Sequence, residues 1–193
     1  MNKVVLNVTV EPRYDTNFIP TAGTQQLLFF AQPIGTGTSN WATASAKTIA
    51  DTNMDLQGQL PSGQNFTVLG FRLLPSFNMT VADATLAFNG AAFIFLLSAV
   101  EMLRVPARTI PAGMGPVSAT TTVAAHGWQV LDNGFKIGRQ SLNLAQSQNF
   151  SAKLTWPGGG QAVTTTMAGG TTAGAAGLPL TVLLDGFLQR LPQ

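Results

Sequence analysis

TNMDLQGQLPSGQNFTVLGFRLLP, residues 52 to 75, joins a polar loop, a turn and a long apolar run without a break. Pro61 and Gly63 punctuate the turn, and Phe66 to Leu74 is rich in β-branched, aromatic and large aliphatic residues. The run predicts a central strand. Alternation assigns Phe66, Val68 and Leu74 to one face and Thr67, Leu69, Phe71 and Leu73 to the other, with Arg72 as the one interruption. A strand apolar on both sides lies inside a sandwich with something packed on its outer face, and another copy of the chain is the expected cover. No catalytic motif falls in the stretch.

Upstream, Val4, Leu6, Val8 and Val10 alternate with Val5, Asn7 and Thr9, the period of a half-buried strand that Pro12 ends. Residues 1–24 therefore read as an N-terminal strand or arm followed by a loop, Tyr14 to Thr24. Gln25 to Ile34 predicts a second strand, Thr36 to Ala46 a surface loop anchored by Trp41, and Lys47 to Leu56 a short strand. Downstream, Asn89-Gly90 signals a hairpin between Thr85–Phe88 and Phe93–Val100, preferred to a short helix from Asp83 because Gly90 interrupts the run. Val105 to Gly115 carries two prolines and two glycines and reads as a bent connection. Ser118 to Val123 is a polar Thr-rich strand candidate, and Asp132-Asn133-Gly134 predicts a hairpin between Trp128–Leu131 and Phe135–Ile137. Gln140 to Asn149 is polar. Phe150 to Trp156 is a strand ended by Pro157, residues 157–179 form a Gly/Ala/Thr-rich loop insertion, and Leu180 to Leu184 closes the chain as an apolar strand. About eight to ten strands with turn signals at short intervals argue for an all-β fold, and long Gly/Pro-rich loops favour a single jelly-roll β-sandwich over residues 1–193.

Composition narrows the function classes. Charged residues make up 9% of the 193 positions, against a usual share of about 25%. Such a surface has weak protection against self-association, so partners are expected to cover much of it. Ten Lys and Arg against eight acids leave a net charge of +2, scattered singly. No basic stripe interleaved with aromatics is present, so specific nucleic-acid binding is not expected. There is no Cys, hence no disulfide, thiolate nucleophile or Cys-based zinc site. The start lacks the apolar core of a signal peptide, and Ala84 to Val100 is too broken for a transmembrane segment.

Active-site chemistry has little to build on. His126 is the one histidine and reads as structural or surface, and no Ser sits in a nucleophile elbow. The eight carboxylates are Glu11, Asp15, Asp51, Asp55, Asp83, Glu101, Asp132 and Asp185; most stand alone, though a glycosidase pair could assemble in space. Asp51, Asn53 and Asp55 open like a calcium loop, but Leu56 stands where Gly is needed and Ser62 where the bidentate Glu belongs. The reading is no enzyme, no metal and no cofactor.

Three pieces, TNMDLQGQLPSGQNF entering the strand, RTIPAGMG at residues 108–115 and TVLLDGFLQRLPQ at residues 181–193, resemble the strand entry, linking loop and closing strand of a known family. That family is the single-jelly-roll structural proteins of icosahedral viruses, phage capsid proteins and capsid decoration proteins among them. The resemblance implies a virion protein that binds copies of itself and other capsid proteins in trimers or higher capsomers, with no catalytic residues. A capsid shell role is favoured over decoration of a preformed head. Phe18, Trp41, Trp156 and the 157–179 loop are the interface candidates, chosen as apolar or flexible positions outside core strands. A carbohydrate- or receptor-binding module built on Trp41 and Trp156, and a hydrolase with paired carboxylates, are the competing classes.

Overall fold

A computed structural model describes residues 7–20, 22–37, 46–75, 79–110, 116–117, 125–126, 135–137, 141–160, 162 and 177–190. Nearly all regular structure in them is strand: β1 Asn7–Val10, β2 Arg13–Pro20, β3 Gln26–Phe29, β4 Gln64–Pro75, β5 Ala92–Leu97, β6 Val100–Pro106, β7 Pro116–Val117, β8 Ala125–His126, β9 Phe135–Lys136, β10 Leu142–Leu144, β11 Phe150–Thr155 and β12 Gly177–Arg190. One helix, α1, spans Val81–Asn89.

Two sheets form the body. Sheet 1 runs β1-β12-β4-β10, with β2 alongside β12 beyond β1 and β9 on β4; sheet 2 runs β3-β11-β5-β6; β7 and β8 make a separate ladder. Four antiparallel pairs nest inside one another along the chain: β2 with β12, β3 with β11, β4 with β10, and β5 with β6. The expected all-β sandwich is what the chain forms. Its core fills the space between the sheets, where Phe71 of β4 lies 5.4 Å from Phe93 and 5.0 Å from Phe95 of β5, centroid to centroid. These tilted contacts add to the burial of Phe66, Val68, Leu73, Val182 and Leu184 from one side and Phe29, Ala152 and Leu154 from the other.

β4 is the central strand anticipated from Phe66 to Leu74, but its faces differ from simple alternation. Asp185 stands opposite Gly70 and Gly186 opposite Val68, so Leu69 is an extra residue with nothing across from it. This bulge resets the side-chain phase. Phe66, Val68, Phe71 and Leu73 all point into the core, while Leu69, Arg72 and Leu74 turn outward.

Several expectations are corrected. Residues 14–20 are strand, not loop, because Asp15 can occupy an inward position: its carboxylate accepts from Lys47 Nζ at 2.7 Å and from Phe30 N at 2.6 Å. Phe30, with φ of 64°, ends β3 at Phe29, short of Ile34. Lys47 to Leu56 is no strand, since Asp51 folds it into turns by accepting from Thr48 N and Oγ1, and only Thr52 bridges to β2. Residues 81–89 are helix, not hairpin: Thr80 caps Asp83 N at 3.1 Å, and the Trp156 indole donates to Ala87 O near the helix C-terminus at 3.0 Å. The real hairpin is β5–β6, turning at Ser98 and Ala99 with φ of 50° and 66°. β6 runs to Pro106 and a 3-10 turn follows at Ala107–Thr109, so the bent connection begins later than Val105. β10 pairs with β4 inside the stretch read as merely polar. β12 starts at Gly177, within the region assigned to the 157–179 insertion. The Ser118–Val123 strand, residues 163–176 of the insertion and the Trp128–Gly134 part of the predicted hairpin lie outside the described residues; Phe135 and Lys136 pair with Phe71 and Gly70.

Candidate interaction surface

The long strands β2, β4 and β12 of sheet 1 have one side toward the core, so what the sheet offers a partner is its outer face and its edges. The outer face is divided at the Leu69 bulge. Beyond it, toward Pro75, Arg72 lies opposite Leu183, and Thr16 opposite Thr181 with their hydroxyls 2.7 Å apart. Arg72 holds Asp185 in a bidentate pair, Nε to Oδ2 at 2.6 Å and Nη2 to Oδ1 at 2.5 Å, and both side chains are buried. A second copy was the expected cover for the outer face; here Arg72, Asp185 and Leu183 are buried within the single chain.

On the other side of the bulge the face is open. Val8 and Val10 are 55% and 56% exposed, and Leu69 and Phe187 are exposed as well. Val10 stands opposite Phe187, and Phe187 opposite Thr67, so these side chains form one row across β1, β12 and β4. Beside the row is a groove of about 390 Å³ lined by Asn65, Thr67, Ser141, Asn143 and Gln189, in which Thr67 Oγ1 and Asn143 Oδ1 lie 3.0 Å apart. The surface is apolar and amide-bearing, with no ionisable side chain in the row or the groove lining. Uncharged, half-apolar surface of this kind matches the core of protein interfaces, where charged groups are depleted.

The edge next to this face also has two halves. Along β2 it is closed by residues 48–53: Thr16 N donates to Asp51 O at 2.8 Å, Asn53 N to Tyr14 O at 3.3 Å, and Tyr14 N to Asn53 Oδ1 at 3.0 Å. The closing segment is anchored by Lys47, whose Nζ reaches Asp15 and the Thr16 carbonyl at 2.8 Å; the Lys47 and Asp15 side chains are each 1% exposed. Burial pushes the Asp15 carboxyl above the usual carboxylate range, opposed by the Lys47 charge and the hydrogen bonds it receives. Arg13 adds Nη1 to Asn53 O at 3.2 Å, and burial pulls its guanidinium below the usual arginine value. Along β1 none of the described residues provides such cover. All four of its residues are exposed, and among the described residues it pairs only with β12.

Of the residues singled out in the sequence, Trp156 is 2% exposed and holds Ala87, so it belongs to the core of the single chain and offers no surface to a partner. Phe18 is half-buried in β2, opposite Pro179. Trp41 and Asp132 lie outside the described residues. The carboxylates serve the scaffold: Glu11 meets Arg13 and Arg190, Glu101 meets Arg104, and Asp51 caps its own turn. Asn53, read as part of a calcium-like loop, bonds Tyr14 and Pro12 instead, and among the described residues no three His or acidic side chains gather as metal ligands. A second concavity of about 700 Å³ lies between Leu28, Leu56, Gly58, Leu96 and Phe150, without a charged side chain in its lining. No helix among the described residues is long and apolar enough to cross a membrane. Sequence reasoning missed Leu69 and Phe187, whose signal was the Asp185-Gly186 pair at the bulge, and it read Val8 and Val10 as half-buried. Scans against protein-family models, curated proteins and solved structures found no match.

Proposed function

We propose that this chain is a structural virion protein, a single jelly roll that associates with copies of itself in the capsomers of an icosahedral phage capsid. The observation that carries the proposal is the nested pairing of β2 with β12, β3 with β11, β4 with β10 and β5 with β6, divided between two facing sheets. A ribbon of four antiparallel pairs wrapped in this way is the strand plan of a jelly roll, a fold frequent in viral shells. Since one fold serves many functions, the surface supplies the second support. The exposed apolar side chains Val8, Val10, Leu69 and Phe187 on the outer face and the β1 edge suit burial against another protein chain. The mechanism is burial repeated at many contacts, each modest, around every copy in a shell.

Light scattering of the purified protein across concentration, with negative-stain microscopy of the same samples, tests the reading. Trimers, pentamers or shell fragments are the expected result. Discrete trimers that bind only preformed heads would move the role from shell to decoration. A monomer at every concentration, alone and with sister capsid proteins, together with glycan-array binding through the amide groove beside Phe187, would replace it with a carbohydrate-binding module.

A further inference from the structure

We propose that β1 is the seam between two copies: Asn7–Val10 pairs antiparallel with Asn7–Val10 of a second chain across a two-fold axis, fusing the two copies of sheet 1 into one continuous sheet. This rests on the self-association proposed above and assigns its site.

A free edge exposes backbone N–H and C=O groups that will template another strand unless they are blocked. The edges at β2, β3, β6 and β10 carry recognisable blocks. β2 is covered by residues 48–53. β3 is as short as β1, but its Leu28 carbonyl is taken by Asn17 Nδ2 at 2.8 Å. β6 contains Glu101, Arg104 and Pro106, and it bulges at Met102, since Leu103 stands opposite Phe95 and Glu101 opposite Leu96. β10 is three residues long. β1, Asn-Val-Thr-Val, has no charge, no proline and no bulge, and among the described residues no segment or side chain caps its outer edge as at β2 and β3.

The occupant follows from symmetry. Residues directly opposite in an antiparallel pair share a face, and a two-fold axis perpendicular to the sheet keeps outer face with outer face. Self-pairing therefore joins like positions. With Thr9 on the axis, Val8 of each copy faces Val10 of the other, and Glu11 faces Asn7, so no like charges meet. Val8 and Val10 of both chains then bridge the Phe187 row of one copy to that of the other. A strand from an unrelated protein would match the backbone but would need its own apolar alternation to continue the row. Four paired residues fall short of the roughly 800 Å² per partner of a stable interface, so the contact is weak singly and gains from repetition in an assembly.

The chain lacks Cys, so single cysteines report cleanly. Val8→Cys, Thr9→Cys and Val10→Cys place the thiol on each possible axis, where strands in register bring the Cα atoms to about 4.5–5.5 Å, within disulfide reach. Under mild oxidation one of the three is expected to form covalent dimer at least about tenfold faster than Ser98→Cys, in the exposed β5–β6 turn. In sedimentation, Val10→Lys is expected to weaken association by about tenfold or more, with an unchanged circular-dichroism melt because the position is exposed. Equal cross-linking at all four positions, or an unchanged mass for Val10→Lys while the wild type still assembles, overturns the β1 seam and leaves self-association standing. A wild type that stays monomeric overturns both.

Discussion

At the scale of the residue, the Lys47–Asp15 pair shows how a polar contact can hold a sheet edge closed. Both side chains are buried, and Lys47 also reaches the Thr16 carbonyl, so the segment that covers β2 is fastened from beneath. Lys47→Met is expected to destabilise by about 3–5 kcal/mol near neutral pH, because it leaves a buried carboxylate without its cation. Asp15 already sits above the usual carboxylate range through burial, and removing the opposing Lys47 charge moves it further up. Between the ordinary and the raised value the folded chain binds more protons than the unfolded one, so stability falls as pH rises through that window. Urea unfolding should therefore show a smaller loss at about pH 4 than at about pH 7. A loss that does not depend on pH would mean that Asp15 is not the group left stranded. Replacing both residues, Asp15→Leu with Lys47→Met, should cost less than Lys47→Met alone.

At the scale of the element, the bulge between β4 and β12 decides which side chains face the core and which face outward. Gly186 makes it possible: a Cβ there would lie 2.0 Å from Thr67 O and 2.8 Å from Phe66 Cζ. Gly186→Ala must separate the two strands, and a loss of about 2–3 kcal/mol in denaturant unfolding is expected. An alanine accepted without cost would mean that the strands do not approach this closely. Helix α1 depends on a different contact. Trp156→Phe keeps most of the apolar volume but leaves the Ala87 carbonyl without its indole donor, an expected loss of about 1–3 kcal/mol. The strands legible in the sequence were those whose cause is local: Phe66 to Leu74, Phe150 to Trp156 and Leu180 to Leu184 are runs of β-branched, aromatic and large aliphatic residues. What stayed hidden depends on distant partners. Tyr14 to Pro20 reads as loop until Lys47 is seen to satisfy Asp15, Thr85 to Phe88 reads as strand until Thr80 and Trp156 hold the ends of the helix that contains it, and the Ser98–Ala99 turn carries no Asn-Gly to announce it. The candidate surface was the least legible part, because Leu69 is left without an opposite residue by a bulge, and Phe187 set opposite Thr67, in a register that only the pairing of β4 with β12 reveals.

At the scale of the whole molecule, an association built on apolar burial and backbone pairing differs from one built on charge. The open face has no ionised side chain in its row, and the chain is only 9% charged. Assembly should therefore change little between about 0.05 and 0.5 M sodium chloride, a range over which screening of surface charges changes strongly. Sulfate should promote it by strengthening apolar burial. Light scattering in the two salts checks both, and disassembly by sodium chloride alone would point to ion pairs instead. The nested pairing has one more consequence, for the order of events during synthesis. β12 lies at the centre of sheet 1, and every strand it joins, β1, β2 and β4, is made before it. Non-local pairing of this kind is slow to form and waits for its last member. Until β12 has left the ribosome, β1 has no strand among the described residues to lie against, and the proposed seam would have no folded edge to form on. On the proposed seam, a nascent or truncated chain would not be built into an assembly through this edge, and the strand that completes the fold would also license the edge's use.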